Sequence, residues 1–460
     1  MVLYDKIYVN IAYCYIFINM KNKETAKFLL NLLNNLVMTL LYILVVVYFY
    51  NANTEFDYGV RGYIVLGFIY GLLLYFLFSL LDVYKLGNKK ISDIVLSQTM
   101  ALFAGDVLMF FVLSLVEGHL LYVRWPYLLL FVIQILFTVL LSYKNSLYIR
   151  NNFKPLNAVV VYNKESYKNI IKKLKKYQQY EFTIKKTVNE KDVKTKTIDE
   201  ITDKYECVIC ADISHELKKK IVKMSYTKNK YVYDVPSITD VFMKTSEITN
   251  YIDTPIFRLN KFGPSIVGNF IKRAMDIFGG ILLLILGSPF MLVSAIVIKL
   301  QDGGDVFFKQ KRLTKGGKEF KLIKFRSMIM NAEPDGKMIK AKENDPRITK
   351  YGRFIRRTRI DELPQVFNIL KGEMSFVGPR ALRVEEYKTN ENDFPEFKYR
   401  LKVKAGLTGY AQIYGKYNTS YRDKLLLDIC YIENYSIITD IKLILMSIVN
   451  MFVKDSTQGF

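Results

Sequence analysis

Four long runs of Leu, Ile, Val, Phe and Tyr in the first third of the chain limit its fold more than any other feature. Apolar stretches of about 18 residues or more read as membrane spans, and these fall near 30–50, 62–82, 98–117 and 125–142. The loops between them alternate in charge. Lys21, Lys23 and Lys27 precede the first run, Lys85, Lys89 and Lys90 separate the second from the third, and Lys144, Arg150 and Lys154 follow the fourth. The other two loops carry Glu55, Asp57 and Arg61, then Glu117, His119 and Arg124, with no lysine. By the positive-inside rule the N-terminus and everything after residue 143 are cytoplasmic. A segment 1–27 thus precedes four transmembrane helices over 28–145. Residues 1–19 lack the basic start and cleavage site of a signal peptide, and Met20 is the expected initiator. Asp106, inside the third span, is expected to be paired or solvated.

Lysine and arginine number 66 against 43 acids, a formal charge of +23. On a membrane-anchored cytoplasmic chain this excess points to membrane lipid and phosphorylated substrates. No helix-turn-helix, zinc-finger or RNA-recognition pattern supports a nucleic-acid partner. Of the four cysteines, Cys207 and Cys210 form a C-x-x-C spacing. They lie in a run that reads as a buried strand, where side chains three apart point to opposite faces. They are therefore expected to be structural, reduced thiols.

Residues 155–258 turn soluble and lysine-rich. Strands are expected at 157–162, 182–187, 207–211 and 230–235, with an amphipathic stretch from Ser166 to Lys176 and a helix opening at Ser214. Alternating strands and helices imply a small parallel sheet, a Rossmann-like α/β domain. No G-x-G-x-x-G follows the first strand, so no dinucleotide is expected there.

A fifth apolar run fills 277–298 within a segment 270–299, yet both of its flanks are basic: Lys272 and Arg273 before, Lys299, Lys309, Lys311 and Arg312 after. A crossing cannot satisfy the positive-inside rule on both sides. Ser288-Pro289 lies at its middle, where proline frees a backbone carbonyl and a serine hydroxyl can satisfy it. A re-entrant hairpin that enters and leaves on the cytoplasmic face is expected, with Lys272 and Arg273 at the headgroups; the alternative is a fifth, kinked span. The expected fold class is a membrane protein, α plus α/β: a four-helix transmembrane bundle, the Rossmann-like middle, and a mostly helical part over 265–460 that carries the re-entrant helix.

The densest chemistry falls within 345–380. Six arginines surround the adjacent acids Asp361 and Glu362 in Asp361-Glu362-Leu363-Pro364-Gln365, and Gly378-Pro379-Arg380 follows. Guanidinium groups suit phosphate, and a carboxylate pair among them suits a nucleophile or a metal. Asp361 is expected as N-cap of a helix starting at Glu362. Arg356 and Arg380 are assigned to diphosphate binding, with Arg353 and Arg357 as weaker choices. Arg356 and Arg357 are also open to reading as a lipid-facing patch, and Lys324-Phe325-Arg326 as either substrate-binding or supporting strand. Met328, Met330 and Met374 are expected in the core.

These motifs occur in a telling order: Lys272-Arg273-x-x-Asp276, Phe307-Phe308-x-Gln310-x-Arg312, Lys324 to Met328, Asp345 to Thr349, Asp361 to Gln365, Ser375 to Arg380 and Gly406-Leu407-Thr408-Gly409. The set resembles the bacterial sugar transferases, the monotopic polyprenyl-phosphate phosphoglycosyl transferases, and covers about 265–460. The resemblance implies transfer of sugar 1-phosphate from a UDP-sugar to undecaprenyl phosphate with release of UMP, initiating exopolysaccharide, capsule or O-antigen units in a bacterial inner membrane. It implies Asp361 as covalent nucleophile, Glu362 as its partner, and Mg²⁺ held by both. Ala381 and Ala405 stand where the family often has proline, and Tyr414 to Ser420 is expected at the sugar or uridine end. A glycosyltransferase making a glycosidic bond and a non-catalytic membrane scaffold are the competing readings. The sugar and any homo-oligomer are not legible.

Overall fold

The computed structural model describes residues 22–50, 59–84, 91–118, 125–163, 181–193, 195–251, 253–259, 263–330, 332, 345–415 and 419–451. Met20 and the stretch from Ser166 to Lys176 lie outside them. Two compact units meet at Val235/Pro236.

The first unit opens with helices α1 (Lys23–Val45, continued as a π turn Val46–Tyr50), α2 (Gly59–Leu80), α3 (Ile91–Glu117) and α4 (Trp125–Asn152). All four are long and apolar enough to cross a bilayer. α1 packs on α2 and α4, and α3 packs on the same two. The polar residues face inward: α4 buries Gln134, Thr138, Ser142 and Asn145 while exposing Leu136, Val139 and Leu140. Inter-helix hydrogen bonds are favoured where no water competes. The Tyr70 hydroxyl donates to Asp106 Oδ1 at 2.6 Å, Gln134 Nε2 to the Tyr70 oxygen at 2.9 Å, and the Ser142 hydroxyl to Gln98 Oε1 at 2.7 Å. Asp106 is thus paired.

The rest of this unit is a parallel sheet ordered β2-β1-β3-β4, from β1 (Leu156–Tyr162), β2 (Phe182–Asn189), β3 (Cys207–Ala211) and β4 (Tyr231–Asp234), with helices α5 (Thr195–Lys204) and α6 (His215–Thr227). Strand alternation puts Val159, Val161, Val208 and Cys210 in one apolar cluster, and Ala158, Val160, Cys207 and Ile209 in the other. The two thiols therefore lie on opposite faces, which no disulfide or single metal ion can bridge.

Helix α7 (Ile238–Lys244) and the hairpin β5 (Glu247–Tyr251)–β6 (Thr254–Arg258), which the sequence reading grouped with the middle domain, fall in the second unit. Val241 of α7 packs there against Tyr387, Phe397, Leu425 and Ile429. The unit's longest element is α8 (Ile266–Asp302), a single 37-residue helix with Pro289 inside it. Its buried residues Lys272, Asp276, Gly280, Gly287, Ser294 and Ile298 form one stripe along its length. Phe278, Ile285, Leu286, Phe290, Leu292 and Val293 are exposed. Pro289 has no N–H for the carbonyl of Ile285, and the Ser288 hydroxyl donates to that carbonyl at 2.9 Å.

Helix α10 (Val366–Lys371) and strand β9 (Met374–Val377) pack on α8, and Phe325 of β8 (Glu319–Phe325) and Ile355 of α9 (Lys350–Arg357) cluster with its Ile298; β8 pairs antiparallel with β7 (Phe307–Leu313). Helix α11 (Val384–Asp393), strand β10 (Ala405–Thr408, parallel to β9), the short α12 (Tyr410–Ile413), α13 (Tyr421–Glu433) and α14 (Ile437–Met451) complete the unit. Ala381 and Ala405 are buried with Phe320, Leu322, Ile369 and Met374. Met330, expected in the core, is 55% exposed.

Candidate active site

Three segments converge on the acid pair. The first is β8, which carries Lys324 to within 2.7 Å of Glu362 Oε1. The second is α9. Its first turn is capped by Thr349, whose hydroxyl oxygen accepts from the Gly352 N–H at 2.9 Å. Gly352 sits so close to strand-end residue Ser327 that a Cβ would lie 2.0 Å from the Ser327 carbonyl oxygen. That contact brings Arg356 Nε within 2.8 Å of the Ser327 hydroxyl.

The chain then reverses at Arg359, in the left-handed region at φ 57°, and closes a 3-10 helix over Ile360–Gln365 with Glu362 N–H donating to the Arg359 carbonyl at 3.1 Å. The helix thus starts one residue before Asp361, and Arg359 is its N-cap. This corrects the expectation that Asp361 caps the helix; both acids lie inside the first turn. Pro364 lies further along the same 3-10 helix, just before α10 opens at Val366.

The third segment is the turn after β9. The Pro379, Ala381 and Leu382 carbonyls accept from Gly406 N–H at 2.9 Å, Arg312 Nη1 at 3.3 Å and Leu313 N–H at 3.3 Å. Gly378 and Gly406 permit this closeness: a Cβ on Gly406 would lie 2.1 Å from the Gly378 nitrogen. The turn presents Arg380, with Nη2 3.9 Å from Glu362 Oε1 and a side chain 56% exposed.

The two acids ionise very differently. Burial pushes the Asp361 carboxyl up to about 6, with the Glu362 charge adding to the rise and Lys324, Arg356 and Arg380 opposing it. Burial also raises Glu362, but Lys324, Arg380 and the hydrogen bond from Lys324 outweigh it and hold that carboxyl at about 2. Glu362 is the fixed anion of the pair and Asp361 the poised one. Among the described residues no side chain donates a hydrogen bond to the Asp361 carboxylate.

The other expected residues divide. Arg353 and Arg357 are exposed on α9 and make no contact with the acid pair among the described residues. Arg326 turns away to Asp302 at the end of α8. Ser288 and Pro289 lie mid-helix in α8. Lys272 is not at the surface: its Nζ bonds Asp440 Oδ2 at 2.6 Å and the Tyr431 hydroxyl at 3.1 Å. Arg273 donates to the Ile369 and Leu370 carbonyls, both at 2.7 Å, closing the last turn of α10. Both cations have protein partners because α8 lies against α10 and α14 there. Asp276, which the ordered motifs include without a role, accepts from the Ser375 hydroxyl and the Phe376 N–H, each at 2.9 Å; Arg400, Asp428 and Asp440 carried no expectation. The available signal was an acid inside an apolar run, as in Leu425 to Ile429.

A buried acid pair of divided charge, faced by lysine and arginines on a unit with an apolar helix along one side, suits phosphate esters at a membrane. The chain belongs to the bacterial sugar transferase family, whose model matches residues 267–454. It is 37% identical over 220 residues to a UDP-N-acetylgalactosamine-undecaprenyl-phosphate N-acetylgalactosaminephosphotransferase of Aeromonas hydrophila, covering 47% of this chain and 51% of that one. It is 39% identical over 231 residues to a UDP-glucose:undecaprenyl-phosphate glucose-1-phosphate transferase of Klebsiella pneumoniae, 49% of each chain. With the uncharacterized sugar transferase EpsL of Bacillus subtilis it shares 37% identity over 188 residues, 41% of this chain and 90% of that one. The chain therefore spans about half the length of the first two relatives and nearly all of the third.

Proposed function

We propose that this protein transfers sugar 1-phosphate from a UDP-sugar to undecaprenyl phosphate, giving undecaprenyl-diphosphate-sugar and UMP, the first membrane step of exopolysaccharide, capsule or O-antigen synthesis. The carrying observation is the pair of buried Asp361 and adjacent Glu362, with Lys324 at 2.7 Å and Arg380 at 3.9 Å from Glu362, within the segment that matches the family. Asp361, once ionised, attacks the β-phosphorus; the bond from that phosphorus to the bridging oxygen breaks, and UMP leaves with the electron pair. An oxygen of undecaprenyl phosphate then attacks the same phosphorus and the aspartyl oxygen departs, restoring the carboxylate. Glu362 stays charged throughout and holds Lys324, while Arg380 and Arg356 bind the diphosphate.

Magnesium fits the donor set. Among the described residues no three His, Cys, Asp or Glu side chains cluster, but Mg²⁺ commonly keeps waters and uses one or two carboxylates plus substrate phosphates. Asp361 and Glu362 would hold it, and it would neutralise charge on the diphosphate oxygens.

The membrane reading supports the same chemistry. Helices α1 to α4 are read as a transmembrane bundle with the remainder on the cytoplasmic face of a bacterial inner membrane. α8 is one continuous helix rather than a hairpin, and it is read as entering the membrane from the cytoplasmic face without crossing it, because its buried stripe meets the same unit from Lys272 to Ile298. A spanning helix would leave that unit to cross a hydrocarbon core of about 30 Å. The parallel sheet is read as a Rossmann-like regulatory or interaction module.

The test is an assay of membranes carrying this chain with undecaprenyl phosphate and radiolabelled UDP-glucose, UDP-galactose, UDP-N-acetylglucosamine or UDP-N-acetylgalactosamine. UMP release with organic-soluble label is expected for at least one sugar. Release of UDP instead would mean a glycosyltransferase.

A further inference from the structure

Behind the Gly378–Leu382 turn stands a buried ion pair that no step above uses. Arg400, in the 3-10 helix Pro395–Lys402, is 5% exposed, and Asp428 on α13 is 1% exposed. The Nη2 atom of Arg400 donates twice: to the Arg380 carbonyl at 3.0 Å and to Asp428 Oδ2 at 2.8 Å. The guanidinium carbon lies 4.9 Å from the centre of the Phe397 ring, which seats it from a third side. A buried ion pair adds little stability over apolar residues of the same volume, because both charges must be stripped of water. Its location therefore matters more than its energy. With Gly406, Arg312 and Leu313 on the neighbouring carbonyls, Arg400 completes a row of four gripped carbonyls from Pro379 to Leu382. Arg380 has the one half-exposed side chain reaching from this row to the acid pair.

We propose that the Arg400–Asp428 pair is a positioning device for Arg380: it fixes the Arg380 backbone so that the guanidinium meets Glu362 and the bound diphosphate. The inference rests on the phosphoglycosyl transfer reading. Neither Arg400 nor Asp428 touches the reacting groups. Asp428 orients Arg400, Arg400 holds the Arg380 carbonyl, and Arg380 carries the effect to the site.

The test compares four full-length proteins in membranes by UMP release against UDP-sugar concentration: the parent, Arg380→Ala, the pair replacement Arg400→Met with Asp428→Leu, and all three changes together. Replacing both charges leaves no unpaired buried ion, so the pair variant is expected to keep a thermal midpoint close to the parent's. Its kcat/KM should fall roughly 10- to 100-fold, the scale of a misplaced binding group, chiefly through KM. In the Arg380→Ala background the same replacement should cost nothing further, because its effect runs through Arg380. Losses that multiply, or a pair variant with parental kcat/KM, overturn the proposal. If the pair variant does not fold, Arg400→Lys serves instead. It keeps a charge opposite Asp428 without the planar fork, and the same KM rise and non-additivity are expected; parental KM would again overturn it. A parent that releases no UMP defeats the transfer reading itself, which separates the two failures.

Discussion

Lys324 Nζ stands 2.7 Å from Glu362 Oε1, and through that contact one lysine sets the charge of both acids. It holds Glu362 ionised and also lowers the neighbouring Asp361, whose burial would otherwise push it higher. In the proposed mechanism Asp361 must be ionised to attack, so activity should rise with pH through an inflection near 6. Lys324→Met removes a cation that favours the ionised form, so the inflection should move to higher pH, with a loss of roughly 100-fold in rate. Glu362→Gln removes a like charge and should move it to lower pH. Rate profiles between pH 4.5 and 8.5 at saturating UDP-sugar check both directions.

The buried pair Lys272–Asp440 ties α8 to α14. Asp440→Ala leaves the Lys272 charge unpaired beside Tyr431, and breaking such a pair costs about 3–5 kcal/mol. Thermal unfolding in detergent should show a lower midpoint. An unchanged midpoint would mean that the lysine reaches solvent.

Gly406→Ala places a methyl against backbone rather than a movable side chain, 2.1 Å from the Gly378 nitrogen. Overpacking of this kind costs about 1–3 kcal/mol. The displaced turn carries Arg380, so KM for the UDP-sugar should rise together with the fall in stability, as measured by initial rates and thermal unfolding on one preparation.

Burial pushes the Cys207 and Cys210 thiols up to about 12. Little thiolate then exists at pH 8, so iodoacetamide should modify both slowly in the folded protein and quickly in denaturant. Peptide mapping reads each site separately, and fast native labelling would contradict the packing.

Local patterns made most elements legible. Apolar runs located the four long helices and the helix that holds Ser288-Pro289, and strand patterning located Cys207–Ala211 and most of Phe182–Asn189. The ordered motifs located Asp361, Glu362, Lys324 and Arg380. What the sequence hid is long-range. Lys272 pairs with an acid 168 positions away, and Arg400 joins the Arg380 carbonyl to Asp428 across 20 and 28. Nothing in the spacing of these residues distinguishes a buried partner from a headgroup anchor. The capping residue was misplaced because the chain turns at Arg359 in the left-handed region, which propensity disfavours for an arginine.

The covalent role of Asp361 is tested most directly by intact-protein mass spectrometry after incubation with the UDP-sugar that the assay identifies, without undecaprenyl phosphate. The account predicts a mass gain equal to one sugar phosphate on the peptide containing Asp361, an equal amount of UMP, loss of the adduct when undecaprenyl phosphate is added, and none of these in Asp361→Asn. UMP formation that begins only when the lipid is present, with no adduct at any time, or an Asp361→Asn protein with full activity, would contradict it.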